Sequence, residues 1–331
     1  VAVMANIHGG ERESATCAMY FAWWLAENSQ TERIAQILSD YVVYIVPVIN
    51  PDGYEQSFVC NTRQNLRPVD ANGDGTAFSD PYTDVDGDGF IATLYRGTAD
   101  AQPDPKTSEI FGMESPDWDK NGVLGDDPRN SGIDMNRTFD YQWNRYDVDT
   151  VETGVIGANA YSRAGAAPAS EPEVQAIQNF LLNNEIDALA SLHTGIQSVL
   201  YPWCYRAYDA SQDSESILYM KEVAQKMAEA FQETTGRGFY SKSSYEDYPT
   251  SAELIDYAYG RLNIDAYTIE VYSGGKSEDG DISKCKWEDE LPEATWKFYT
   301  QDELAAMGMD LQTLTDRKGQ PLRYGEGLWF Y

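Results

Sequence analysis

Histidine is almost absent from this chain: two of its 331 residues, His8 and His193. Basic residues are scarce as well, 24 Lys and Arg against 54 Asp and Glu, for a formal net charge of −30 at pH 7. That balance excludes a surface built to read nucleic acid or anionic membrane, which needs clustered Lys and Arg. No apolar run approaches the roughly 20 residues needed to cross a bilayer. The four cysteines, Cys17, Cys60, Cys204 and Cys285, follow no metal-ligand spacing; two disulfides or buried thiols both stay open. The chain starts inside a strand pattern at Val1 with no initiator Met. Upstream residues are therefore expected to be missing, so the absence of a targeting sequence proves little, and the acidic composition suits a secreted, extracellular protein.

What histidine there is stands in matched surroundings. VAVMANI precedes His8, with Glu11 three residues on, and IDALASL precedes His193. Each imidazole thus ends an apolar, strand-like run. Two imidazoles and a carboxylate, one pair close in sequence and the third member distant, make the ligand set of a catalytic zinc site with an open fourth position.

Apolar residues at helical spacing from Glu13 to Glu27, then the β-branched run Tyr41 to Ile49, predict a helix followed by a buried parallel strand. Asn50-Pro51-Asp52-Gly53 reads as a turn. Ser170-Glu171-Pro172-Glu173 reads as a capping box opening a helix. Further helices are expected near 216–233 and 251–259, and strands at 188–192 and 266–271. Helices alternating with apolar strands imply an α/β fold, a mixed and mainly parallel sheet flanked by helices on both faces.

More chemistry-bearing segments follow in order. They are Arg63-Gln-Asn-Leu-Arg67, Gly132-Ile-Asp134-Met-Asn136-Arg137, Tyr248-Pro-Thr-Ser-Ala-Glu-Leu-Ile255, and Tyr267-Thr-Ile-Glu270. Together with His8, Glu11 and His193 they resemble the zinc metallocarboxypeptidases of the carboxypeptidase A kind, from His8 to about Glu270. The resemblance implies a carboxypeptidase-like α/β/α fold whose first strands are absent from this chain. It implies a zinc-dependent hydrolase acting on peptide or protein C-termini. Within it, His8, Glu11 and His193 correspond to the Zn²⁺ ligands, and Asp134 to the carboxylate steadying the first histidine. Arg63 (or Arg67) corresponds to the arginine facing the oxyanion, and Glu270 to the general base. Asn136, Arg137 and Tyr248 correspond to the residues around the terminal carboxylate. Ile255 corresponds to the floor of the side-chain pocket, implying apolar or aromatic C-terminal residues. A cell-wall peptide carboxypeptidase of the same fold, or a non-catalytic metal-binding module, is the alternative.

The stretch 70–127 differs from its surroundings, with fourteen acidic residues against three basic ones. It carries Asp70-x-Asn72-x-Asp74-Gly75, Asp84-x-Asp86-x-Asp88-Gly89 and Asp117-x-Asp119-x-Asn121-Gly122. Oxygen donors at alternate positions of a glycine-closed loop suit Ca²⁺. No twelfth-position Glu completes an EF-hand. The expected organisation is therefore a catalytic domain over 1–284 with this calcium-binding-like insertion, and a C-terminal extension over 285–331 of unassigned role.

Overall fold

A computed structural model describes residues 1–59, 62–104, 107–128, 132–143, 164–272, 296–309, 311–316 and 318–331. The strands among them, in chain order, are β1 Ala2–Ala5, β2 Tyr44–Val46, β3 Thr93–Gly97, β4 Ile110–Met113 and β5 Ala188–His193. There follow β6 Ser198–Tyr201, β7 Tyr240–Ser243, β8 Asp265–Glu270, β9 Lys297–Tyr299 and β10 Gly327–Phe330.

Two compact units divide the chain. The first, residues 1–65 and 133–290, holds a six-stranded sheet in the order β2-β1-β5-β8-β6-β7. All neighbours pair in parallel except β6 with β8. Side chains alternate across it with period two, as the pleat requires. Ala2, Met4 and Leu189 enter a core with Val174, Ile177 and Leu181 of the helix Pro172–Asn183 and with Leu254 and Ile255 of the helix Leu254–Leu262. Val3, Ala5 and Leu192 enter a second core with Ala18 of the helix Arg12–Glu27 and with Ile217, Met220 and Ala224 of the helix Glu215–Thr235. Helices thus cover both faces, and the mixed, mainly parallel sheet is as expected. The helix Glu215–Thr235 ends at Gly236, whose φ of +68 is the left-handed conformation that glycine adopts without a Cβ clash.

Local readings shifted in three places. The run 41–49 forms only the three-residue β2, half-buried because it lies at the edge of the described sheet, and Pro47 has no N–H with which to extend the ladder. Asn50-Pro51-Asp52-Gly53 starts a short helix instead of a turn, because the Asn50 side chain caps it by accepting from the Gly53 N–H at 2.9 Å. Ser170 does not cap its helix. Glu171 holds the N-cap position without a side-chain bond to the helix, and its carboxylate accepts from Asn65 and Ser170, each at 2.7 Å.

The second unit joins residues 66–132 to 291–331. The acidic stretch and the tail therefore build one four-stranded antiparallel sheet, β4-β3-β10-β9. It has its own core of Leu94, Phe111, Leu124, Leu304, Leu328 and Phe330. In its loops Asp70 and Asp84 each accept three backbone N–H bonds from the residues up to Gly75 and Gly89. Asp84, Asp86 and Asp88 bring carboxylate oxygens within 4.8 Å of one another. Lys297 Nζ lies 2.8 Å from Asp88 and 3.3 Å from Asp86. Asn72 and Asn121 donate to Asp119 at 2.7 and 2.9 Å, so the first and third loops meet. Burial and its acidic neighbours push the Asp117 carboxyl up to about 6. Cys17 and Cys204 carry free thiols, which excludes a two-disulfide framework; Cys60 and Cys285 lie outside the described residues.

Candidate metal centre and active-site cleft

Parallel strands leave their carboxyl ends on one edge of a sheet, where open α/β folds place their sites. His193 and Glu270 are the last residues of β5 and β8, and His8 stands three residues beyond β1. They line one cleft of about 230 Å³ with Glu11, Arg63, Asn136 and Tyr248.

At its base Glu11 is gripped from both sides. Its Oε1 lies 2.6 Å from His8 Nδ1, and its Oε2 lies 3.1 Å from His193 Nδ1. Both histidines are buried. Each turns its other nitrogen elsewhere: His8 Nε2 is 3.4 Å from Asp134 Oδ1, and His193 Nε2 is 3.0 Å from Ser191 Oγ. Two imidazoles that offer Nδ1 to one locus, with Nε2 oriented from behind, fit a zinc ion. The three donor groups lie within 4.8 Å of one another. Burial would raise the Glu11 carboxyl, but His8 and His193 outweigh it and hold that carboxyl far below its usual range.

A set of short side chains shapes the loop that carries the first two donors. Asn6 is fully buried at a positive φ of 55. Its amide donates to the carbonyls of His8, Gly9 and Glu11 at 3.0, 3.1 and 3.2 Å. Asn50 donates to the carbonyls of Ile7 and Gln64 at 3.1 Å each, tying this loop to the segment that delivers Arg63. Gly9 is needed there, since a Cβ would come within 2.4 Å of the Gly53 carbonyl.

Arg63 donates through Nε to Asp134 at 2.6 Å and remains a third exposed, at 34%. Arg63 lines the cleft, while Arg67, the other arginine considered for the oxyanion, falls in the second unit. Asp134 is fully buried. Burial would push it up, yet Arg63, His8 and Arg137 keep its carboxyl well below the usual range. Glu270 has the opposite balance. Burial, then the charges of Glu11 and Asp247, raise its carboxyl to about 8, and its Oε2 has no hydrogen-bond partner among the described residues.

Asn136 and Arg137 sit in the 3₁₀ turn Met135–Arg137, capped by Asp134. Arg137 is 4% exposed, and Tyr248 at the rim is 41% exposed, its hydroxyl 3.5 Å from an Arg137 nitrogen. Ile255 is placed differently from its sequence reading. At 1% exposure it packs in the core with Met135 and Leu254 and does not line the cleft. Glu253 does, together with Leu200, Ile196 and Thr268. Asn6, Ser191 and Glu253 went unread in the sequence. Only Glu253 had a local signal, the Thr250-x-x-Glu253 spacing, which imitates a cap.

A family model described as zinc carboxypeptidase matches residues 1–291. The chain belongs to the zinc carboxypeptidase family. Among zinc carboxypeptidases, it is 28% identical over 162 residues to mast cell carboxypeptidase A of Mus musculus, covering 48% of this chain and 37% of that protein. It is 23% identical over 279 residues to a zinc carboxypeptidase of Simulium vittatum, covering 82% of this chain and 69% of the relative. The match thus spans little more than a third of the mast cell relative. The fold is similar to that of thrombin-activatable fibrinolysis inhibitor, with a TM-score of 0.54, 19% identity, and coverage of 85% of this chain and 56% of that one. It is also similar to that of the carboxypeptidase A from Helicoverpa armigera, with a TM-score of 0.51, 18% identity, and coverage of 84% and 54%.

Proposed function

We propose that this chain hydrolyses the C-terminal peptide bond of peptides or proteins, with zinc held by His8, Glu11 and His193. One observation carries the reading: two buried imidazoles converge through Nδ1 on the two oxygens of Glu11, in the cleft that also holds Glu270. Zinc in such a seat supplies Lewis acidity and a water made acidic, with a pKa of about 7. Glu270 is the general base. Its partnerless oxygen is free to take a proton from water and return it to the leaving nitrogen. A cation held in the seat beside it would oppose the burial-driven rise in its pKa. Arg63, fixed through Asp134, offers permanent positive charge to the oxyanion that develops on the carbonyl. Asn136, Arg137 and Tyr248 receive the terminal carboxylate, for which a guanidinium fork is the apt partner.

Release of C-terminal residues from short blocked peptides, with and without a chelator, tests this. Zinc-dependent release supports it, and its absence in zinc-loaded protein removes it.

The acidic loops extend the reading to Ca²⁺ as a stabilising ion of the second unit, supported by the Asp84, Asp86 and Asp88 cluster. A melting temperature that rises with calcium and falls with a calcium-selective chelator is expected; no response removes this part. Secretion fits the acidic composition, and no helix among the described residues is long and apolar enough to cross a membrane.

A further inference from the structure

Glu253 is a carboxylate that the cleft must accommodate whenever a peptide end enters. It is 5% exposed, and one of its oxygens accepts from Arg137 at 3.0 Å and from the Thr250 hydroxyl. Its other oxygen takes the Cys204 thiol at 3.4 Å. The Arg137 guanidinium also donates to the Asn136 carbonyl at 2.8 Å and the Tyr248 hydroxyl at 3.5 Å. In this structure, then, the buried arginine proposed to read the substrate's terminus faces an internal carboxylate that itself lines the cleft.

We propose that Glu253 selects the side chain of the C-terminal residue by exchange of ion pairs, favouring lysine or arginine. This rests on the reading of Arg137 as the carboxylate-binding residue. An incoming terminal carboxylate displaces Glu253 from Arg137. If the terminal side chain is neutral, two carboxylates then compete for one buried guanidinium, and a like charge is left uncompensated. If the side chain is cationic, the substrate carboxylate pairs with Arg137 and the substrate cation pairs with Glu253, so every charge keeps a partner. Ile255 takes no part, since it is packed in the core.

Paired blocked dipeptides ending in lysine or in norleucine, which has a similar aliphatic chain without the ammonium, separate the outcomes. Zinc-loaded wild-type protein is expected to show kcat/KM at least roughly tenfold higher for lysine. Glu253→Gln is expected to bring the two substrates to near parity, chiefly by losing the lysine substrate. A wild-type preference for norleucine, or a ratio unchanged in the variant, overturns the proposal. A measurement on the unaltered protein guards against a misfolded variant. Free lysine should inhibit more strongly than free norleucine, and equal inhibition overturns the proposal as well. Turnover of both peptides without discrimination sinks the role of Glu253 alone, whereas no turnover of any peptide sinks the hydrolytic reading beneath it.

Discussion

His193 and Glu270 stand opposite each other in register on the adjacent parallel strands β5 and β8. A proposed metal ligand and the proposed base are thereby held by a backbone ladder, not by loops, which keeps their separation constant. Sites mounted on regular elements hold their geometry more closely than sites on loops.

That arrangement makes Glu270 separable from metal binding. Glu270→Gln keeps the size of the side chain but cannot accept the proton. A loss of about 10²- to 10⁴-fold in kcat is expected, with zinc content by metal analysis unchanged. Wild-type turnover in the variant would remove Glu270 from the mechanism.

Asp134 lies 3.4 Å behind His8 and 2.6 Å from Arg63. Asp134→Asn removes the charge that orients both. Zinc affinity, measured against a competing chromophoric chelator, should fall about 10- to 100-fold. An unaltered affinity would mean that Asp134 only holds Arg63.

Asn6→Ala removes the donor to three carbonyls of the ligand loop and leaves a non-glycine residue at positive φ. A loss of about 1–3 kcal/mol in unfolding free energy is expected from the unsatisfied buried groups. Zinc affinity should fall with it. Denaturant titration and zinc competition on the same preparation check both.

Asp256 is fully buried. Burial, reinforced by the charge of Glu253, raises its carboxyl to about 8. The folded state therefore holds a proton that the unfolded chain releases near pH 4. Between those values the fold binds more protons than the unfolded state, so stability falls as pH rises from about 4 toward 8. In metal-free protein Glu270 acts with the same sign. Asp256→Asn, whose amide oxygen can still accept from the Cys204 N–H, should flatten the slope. Urea unfolding at pH 5 and pH 8 reads it, and equal slopes in both proteins would refute the assignment.

Ile255→Val should cost about 0.5–1.5 kcal/mol as an ordinary core truncation. The ratio of lysine to norleucine turnover should not move. A shift in that ratio would return Ile255 to the pocket.

The chemistry of the site was legible because it is written in rare residue types at strand ends. Two histidines in 331 residues leave few candidates for an imidazole pair, and apolar runs ahead of each locate them on a sheet. What stayed illegible depended on direction and on distance along the chain. Ile255 and Glu253 are two residues apart at the start of one helix, and only packing decides that Ile255 enters the core while Glu253 faces the cleft. Likewise β3 pairs with β10 across more than two hundred residues, a contact that leaves no local pattern in either strand. The acidic stretch and the tail looked like separate appendages for that reason.

By itself the amino-acid order determined the fold class and the donor types, since periodicity and side-chain chemistry are local properties. The tertiary structure decided which nitrogen of each imidazole faces Glu11, which carboxylate meets Arg137 and which strands close the second sheet. Those are relations between segments far apart in the chain, selected by burial and charge pairing once the backbone has closed around them.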